Sequence, residues 1–368
     1  MDVARSALER RILSAVNGTP ARIPVLLGGC GSGRTTLLRS LHHQFGGGVC
    51  QYIDVERTAT TPERFLRAVL GTSPFPGAES IGVPRSPRAA FEATLAYFTA
   101  VRAAGGERAA ILLDEVLELR TFESFPGLRH VMPELLAGLA VAGNRFVLST
   151  RYPRRAARAL AHHPDGFLVI HVSPMGPDEA RELIVRALGA APRPDPGWLD
   201  DTGRQVASLA EGRPVDARAL AETIAADTIR HGDADAVSSL CALLSPTGAI
   251  AARCEYSYEV RLNRARGYGA LKAILDVLAE EEPLTLTEIA HRLARTPGST
   301  KDYLSWLEDV DLIGSHRKRY RFLDQLMRLW VRLYCRTTPP GDDDVAREVR
   351  AYALARMREP ATAAVPAV

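Results

Sequence analysis

Short apolar runs alternate with amphipathic segments through the first half of the chain. Ile23 to Leu27, Val49 to Val55 (VCQYIDV), Ala109 to Leu113 (AAILL), Asn144 to Ser149 (NRFVLS) and Phe167 to His171 (FLVIH) have the length and continuity of strands buried on both faces. Segments of helical period lie between them, at Leu37 to His43, Thr61 to Leu70, Arg88 to Ala104 and Pro133 to Val141, and after the last, at Pro177 to Leu188. Two of these helices announce their start, because Thr61-Pro62-Glu63 and Ser86-Pro87 each place a hydroxyl cap before a first-turn proline. An earlier helix, Val3 to Val16, is broken by Asn17-Gly18-Thr19-Pro20, and the stretch from Gly71 to Pro87, with its four prolines, reads as a loop. Strand and helix in alternation predict a parallel sheet covered by helices on both sides.

The pattern changes after Ala191, where apolar strands cease. Two helices interrupted by Glu211-Gly212-Arg213-Pro214 predict a small helical lid, and a further helix follows near a weak boundary at Ser245 to Gly248. Leu271 to Glu280, Thr285 to Leu293 and Ser299 to Leu307 then read as three helices before a hairpin over Asp311 to Phe322, the order of a winged helix. Asp324 to Tyr334 and Val345 to Met357 add two more helices, and the Ala/Pro-rich end is expected to fray. The expected domains are a core over 1–190, a lid over 191–250, a winged helix over 251–337 and a helix with tail over 338–368.

Length and composition fit this division. A chain of 368 residues predicts roughly two or three domains, and a net charge of +3 demands no nucleic acid at whole-chain level. Lysine supplies only three of the 46 Lys+Arg residues, so arginine in a lysine-requiring motif reflects, in part, a general arginine bias. The five cysteines are scattered, with no C-x-x-C pair and no metal-like spacing to histidine, as expected of free thiols in a reducing compartment. With no signal-like start and no apolar run of membrane-spanning length, a cytoplasmic location without membrane association is expected.

The most informative stretch is IPVLLGGCGSGRTTLL, Ile23 to Leu38. Gly28, Gly29, Cys30, Gly31, Ser32, Gly33, Arg34 and Thr35 fit the phosphate-binding loop G-x-x-x-x-G-K-[ST], except that Arg34 stands in the lysine position. Glycines allow the positive-φ backbone that turns successive N–H groups towards phosphate, and the following helix adds its N-terminal dipole. Thr35 is the candidate Mg²⁺ ligand, Thr36 follows it in the loop, and Arg34 would supply charge to the phosphates. Guanidinium is planar and bulkier than ammonium, so binding is expected to survive while hydrolysis slows. The competing reading of the loop is a plain glycine turn.

Further along, Ile111-Leu112-Leu113 ends in Asp114-Glu115. At the end of a buried strand, Asp114 would hold hydrated Mg²⁺ and Glu115 would polarise the attacking water; the alternative is an acidic cap on the next helix. Ser149-Thr150-Arg151 ends the next strand, where Thr150 would touch the γ-phosphate or the water. Arg151 and Arg154 are candidate arginine fingers, set against a solvated helix face for Arg155 and Arg158. In the lid, Arg213 would reach phosphate and Pro214 would pack on adenine, unless the turn merely breaks a helix.

The order of glycine loop, LLDE strand, sensor strand, G-x-P lid and winged helix resembles archaeal-type ATPases of the AAA+/STAND group. The C-terminal run is similar to that family's winged helix through Tyr268-Gly269-Ala270, Leu284 to Ala290, Tyr303-Leu304 and Tyr320-Arg321-Phe322. Asp324, Leu326, Arg328 and Trp330 match its closing D-P-L-x-R-x-W helix, with Gln325 in the proline place. The resemblance covers residues 8–357 and implies an ASCE/AAA+-like P-loop NTPase with ATP and Mg²⁺ as cofactors, and a homo-oligomer or a protein partner. It also implies an α+β winged helix that contacts double-stranded DNA or docks a protein. Candidate DNA contacts are Lys301, Arg317, Lys318, Arg319 and Arg321, while Glu288, Asp302, Glu308, Asp309 and Asp311 nearly balance their charge. The functional expectation is a nucleotide-dependent switch that hydrolyses ATP slowly, the alternatives being a non-hydrolysing sensor or scaffold, or a DNA-bound regulator whose winged helix docks a protein partner.

Overall fold

The computed structural model describes residues 5–161, 165–192, 194–263 and 267–358. The first of two compact units, residues 5–29 and 33–172, runs α1 (Ser6–Asn17), β1 (Ile23–Leu27), α2 (Arg34–Phe45), β2 (Cys50–Asp54), α3 (Val55–Thr58) and α4 (Pro62–Gly71). It continues with α5 (Pro87–Ala100), β3 (Ala110–Asp114), α6 (Val131–Val141), β4 (Arg145–Thr150), α7 (Pro153–Leu160) and β5 (Phe167–His171). The five strands form one parallel sheet in the order β2-β3-β4-β1-β5. Because β4 lies between β1 and β3, the strand feeding the glycine loop and the strand ending in Asp114 are not neighbours.

Strand periodicity explains why both faces must be covered. Leu26, Leu112 and Val147 pack with Ile12, Val16, Leu37, Leu38 and Leu41 of α1 and α2. The alternate residues Val25, Ile111, Leu113 and Leu148 join Phe65, Phe91, Phe98 and Leu135 of α4 to α6 on the other face. Successive side chains of a strand point to opposite faces, so every residue of β1 and β3 is buried and neither strand alternates with polar residues. The caps read from sequence form as expected: Thr61 accepts from the Arg64 N–H at 3.2 Å and Ser86 from the Ala89 N–H at 3.2 Å. Between β3 and α6, Val116–Ser124 forms a 3-10 helix that the sequence pattern did not predict.

The C-terminal residues of the second unit, from 173 onward, comprise α8 (Pro177–Leu188), α9 (Pro196–Leu209), α10 (Pro214–His231), α11 (Ala236–Leu243), α12 (Ala249–Asn263) and α13 (Tyr268–Glu280). Next come β6 (Leu284–Thr285), α14 (Leu286–Arg292), α15 (Pro297–Asp309), β7 (Ile313–His316), β8 (Arg319–Phe322), α16 (Gln325–Tyr334) and α17 (Asp342–Arg358). One apolar cluster runs from Met175 through Ile224, Tyr258 and Leu307 to Ala353. β6, β8 and β7 form an antiparallel sheet beside α13, α14 and α15, completing a winged helix. The two-residue β7–β8 turn places Arg317 and Lys318 at φ 50° and 62°, a left-handed conformation that hairpins of this length demand and that these side chains adopt under strain.

Taken together, the described residues form an α/β unit built on a five-stranded parallel sheet, and a run of helices that leads into an α+β winged helix. The tail beyond Arg358 lies outside the described residues. None of the five cysteines forms a disulfide. No helix among the described residues is long and apolar enough to cross a membrane.

Candidate nucleotide-binding site

In a parallel sheet all strands end on one edge, and the chemistry-bearing residues gather there. β1 leads into the glycine loop, where Gly31 and Gly33 take φ 79° and 87°, values that a Cβ would disfavour. Gly33 caps α2 without a side chain, so the first N–H groups of this 12-residue helix have no side-chain cap at the N-cap position. Such a helix start is suited to an anion.

The first turn of α2 is tied to β3 by two side chains. Thr35 Oγ1 donates to Asp114 Oδ2 at 2.7 Å, across 79 residues of sequence. Tyr52, on β2, donates to the same oxygen at 2.8 Å, and Ser149, on β4, donates its hydroxyl to Oδ1. Asp114 is therefore held by hydroxyls from three elements. Its negative charge and burial both push the Tyr52 phenol upward, burial being the larger cause. Burial also raises the Asp54 carboxyl at the end of β2, and Asp114 adds to that shift.

Glu115 adopts a left-handed backbone, φ 58° and ψ 47°, unusual for a glutamate. Its N–H donates to Ser149 Oγ at 3.1 Å. The carboxylate is almost wholly enclosed and lies between two arginines. Arg34 Nη2 meets Oε1 at 2.5 Å, Arg151 Nε lies 3.2 Å from the same oxygen, and the Arg151 backbone N–H donates to Oε2 at 2.9 Å. Arg34 Nη1 also donates to the Gly29 carbonyl at 2.9 Å. Arg151 in turn binds Glu56, at the start of α3, through Nη2. Arg34, Glu115, Arg151 and Glu56 thus alternate in charge. Burial alone would raise the Glu115 pKa, but the charges of Arg34 and Arg151 outweigh it and hold this carboxyl below its ordinary value.

These residues fit an Mg²⁺-nucleotide. A threonine hydroxyl beside an aspartate, at a helix N-terminus behind a positive-φ glycine loop, offers the hard oxygen ligands and amide donors that magnesium and phosphate require. Thr35 and Asp114 would hold the metal, and the loop amides with Arg34 would hold the phosphates.

The remaining residues picked out by sequence fall in varied places. Thr150 is fully buried, and its Oγ1 accepts from the Tyr152 N–H at 3.3 Å; at the end of β4 it is Ser149 that touches Asp114. Arg151 and Arg154 are both engaged within this chain, Arg154 half-buried on α7. Cys30 and Ser32 lie in the glycine loop, and Pro214 is the first residue of α10.

Arg213 donates through Nη1 to the Cys30 carbonyl of the glycine loop at 3.3 Å, and its other partners lie in the C-terminal segment. Its Nη1 lies 3.3 Å from Asp324 Oδ2, and its Nη2 donates to the Leu323 carbonyl at 3.1 Å and approaches Glu211 at 3.4 Å. Arg253 bridges Asp324 at 3.2 Å and Asp216 at 2.7 Å. On the winged helix, Lys301 is exposed on α15, Arg317 and Lys318 form the hairpin turn, and Arg319 and Arg321 are exposed on β8 two residues apart, hence on one face. Arg319 is drawn towards Glu288 at 3.6 Å.

Tyr52 and Glu56 were not picked out from the sequence. The only signal for them is their position at or just past the end of a second buried strand.

No family model matches the chain, and no curated protein matches it. Among solved structures, the Walker-type ATPase PABY2304 of Pyrococcus abyssi superposes with a TM-score of 0.65 at 17% identity, over 89% of this chain and 95% of that one. The Orc1 protein of Aeropyrum pernix, solved in complex with DNA, gives 0.47 at 18% identity, over 97% and 95%. The RuvB Holliday junction branch migration motor of Thermotoga maritima gives 0.44 at 13%, over 88% and 93%. The first likeness supports the fold alone, and the two lower scores add no argument to it.

Proposed function

We propose that the protein is an Mg²⁺-dependent ATP-binding switch of the AAA+/STAND kind, in which a slow hydrolysis is coupled to the C-terminal winged helix. The observation that carries this reading is the meeting of Thr35, at the start of α2, with Asp114, at the end of β3, at 2.7 Å. Metal-bound nucleotide would bring an electrophilic γ-phosphorus whose charge the cation neutralises. Thr35 and Asp114 would orient that cation, and the loop amides would fix the phosphates. Glu115 would accept the proton of an attacking water. With its backbone N–H and guanidinium on Glu115, Arg151 keeps that carboxylate a weak base, and hydrolysis should be correspondingly slow.

That same clamp favours a second reading, a nucleotide sensor or scaffold that binds without turnover. Comparing ATP turnover of wild type, Arg34→Lys and Glu115→Gln separates the two. A gain with lysine alone supports the slow enzyme, and no turnover in any variant supports the sensor.

The winged helix would act as the output, through duplex DNA at Lys301, Arg317, Lys318, Arg319 and Arg321, or through a protein partner or second copy. Arg151 and Arg154 would be the candidate arginine fingers, Arg151 only by leaving Glu115 and Glu56. Arg213 and Pro214 would carry lid motion to α16. A cytoplasmic setting suits this role. The overall reading fails if the purified protein shows no Mg²⁺-dependent nucleotide binding.

A further inference from the structure

We propose that Arg34 is an exchangeable counter-ion: it holds Glu115 in the absence of nucleotide and trades that carboxylate for phosphate when nucleotide binds. The inference rests on the nucleotide-binding reading of the loop and adds a regulatory consequence to it. Loading the site and freeing the glutamate become one event.

Three features support the exchange. The first is that the guanidinium spans two groups at once, with Nη1 on the Gly29 carbonyl at 2.9 Å and Nη2 on Glu115 at 2.5 Å. A lysine ammonium is a single point on a flexible stem and lacks the planar fork that makes this two-point bridge. The second is that both partners are enclosed, with side chains 6% and 7% exposed, so the pair is little screened by water and competes strongly with any incoming anion. The third is that Glu115 is not orphaned when Arg34 leaves. The Arg151 backbone N–H stays on Oε2 at 2.9 Å and Arg151 Nε lies 3.2 Å from Oε1, while Glu56 anchors the far end of Arg151. The swap therefore breaks one ion pair and leaves no bare buried charge.

Affinity should register this competition. Glu115 competes with phosphate for Arg34, so neutralising Glu115 should tighten nucleotide binding, and only while Arg34 is present. Mg²⁺-ADP is the suitable probe, because it lacks the γ-phosphate that Glu115 would repel directly. Titration calorimetry on wild type, Glu115→Gln, Arg34→Gln and the double variant forms a closed cycle. Glutamine in both positions keeps length and hydrogen-bonding capacity, and thermal unfolding without ligand checks that each variant is folded. Where Arg34→Gln does not fold, Arg34→Met, which keeps most of the volume, closes the cycle.

The expected result is ADP binding tightened on the order of ten-fold by Glu115→Gln, the effect of losing one competing ion pair, and no change when the same substitution is made without Arg34. Unchanged or weaker binding by Glu115→Gln would overturn the exchange while leaving nucleotide binding intact. Equal tightening in both backgrounds would overturn it as well, since plain repulsion between Glu115 and phosphate would then explain the effect. Absence of ADP binding by wild type would instead remove the nucleotide reading itself.

Discussion

Each unit holds a charge network among its described residues, and the two differ in what they join. At the edge of the parallel sheet, Arg34, Glu115, Arg151 and Glu56 alternate in sign, and both oxygens of Glu115 have partners. In the C-terminal unit, Arg213 and Arg253 share Asp324, and Arg253 also holds Asp216, whose Oδ2 has no hydrogen-bond partner. The first joins residues of a glycine loop and two strand ends, the places where ligands meet open α/β sheets. The second joins the start of α10 to the N-cap of α16, where Asp324 Oδ1 accepts from the Met327 N–H at 2.9 Å. Similar ion pairs therefore serve different ends: one pairs groups that ligand chemistry would claim, the other cross-braces helices.

The sharpest test of that contrast is stability. Asp324→Ala leaves two enclosed arginines without their shared carboxylate and should destabilise the protein by about 3–5 kcal/mol in urea unfolding. Glu115→Gln keeps an acceptor for Arg34 and should cost less than about half as much. Equal losses would erase the distinction between the networks.

Acid should separate them next. Burial pushes the Asp216 carboxyl up to about 6 from an ordinary 3.8, with Arg253 only partly offsetting it. A folded-state pKa above the unfolded one means that the native state binds the proton more tightly, so stability falls as pH rises from about 4 to about 6. The loss should reach about 2–3 kcal/mol. Asp324 and Glu115 have the opposite sign. Burial raises both, yet arginines hold both below their ordinary values, so their contribution is present above pH about 4–5 and lost on further acidification. Denaturant midpoints between pH 4 and pH 7 should show the Asp216 slope in wild type and its disappearance in Asp216→Asn. A slope that persists in that variant would assign it to other groups.

Turnover offers a smaller effect at the sheet edge. Arg34→Lys puts a compact ammonium in place of the planar guanidinium at the phosphates and should raise ATP hydrolysis on the order of ten-fold, about 1.4 kcal/mol of barrier, by phosphate-release assay. No rise would leave the sensor reading in place. The least effect on folding is expected at the wing, where Arg317 and Lys318 are exposed in the β7–β8 turn. Replacing both by alanine should leave stability nearly unchanged. If the hairpin contacts duplex DNA, the salt dependence of binding should lose a slope of about 1 for each phosphate contact removed; an unaltered slope would point to a protein partner.

Much of this layout is legible in the sequence because it depends on local chemistry. Continuous apolar runs gave the buried strands, hydroxyl-proline pairs gave helix starts at Thr61 and Ser86, and the glycine loop and the Asp114-Glu115 pair fell at strand ends. The features that escaped depend on partners distant in sequence. β6, Leu284–Thr285, is too short to show a period, and it forms by pairing with Tyr320 and Arg319 of β8. The pairing of Arg34 with Glu115 joins residues 81 positions apart, and no pattern in the chain records that meeting. The same holds for Arg213 and Asp324, 111 positions apart, which share charge. Tyr52 and Glu56 look like ordinary residues around a strand end until β2 is set beside β3.

Nucleotide binding is the central claim, and calorimetric titration of the whole chain with ATP tests it most directly. Wild type should bind ATP in Mg²⁺ and lose affinity when the metal is chelated, while Thr35→Ala, which removes the hydroxyl facing Asp114, should abolish most of the metal-dependent gain. Binding that is absent with Mg²⁺, or indifferent to both metal and Thr35, would contradict the account.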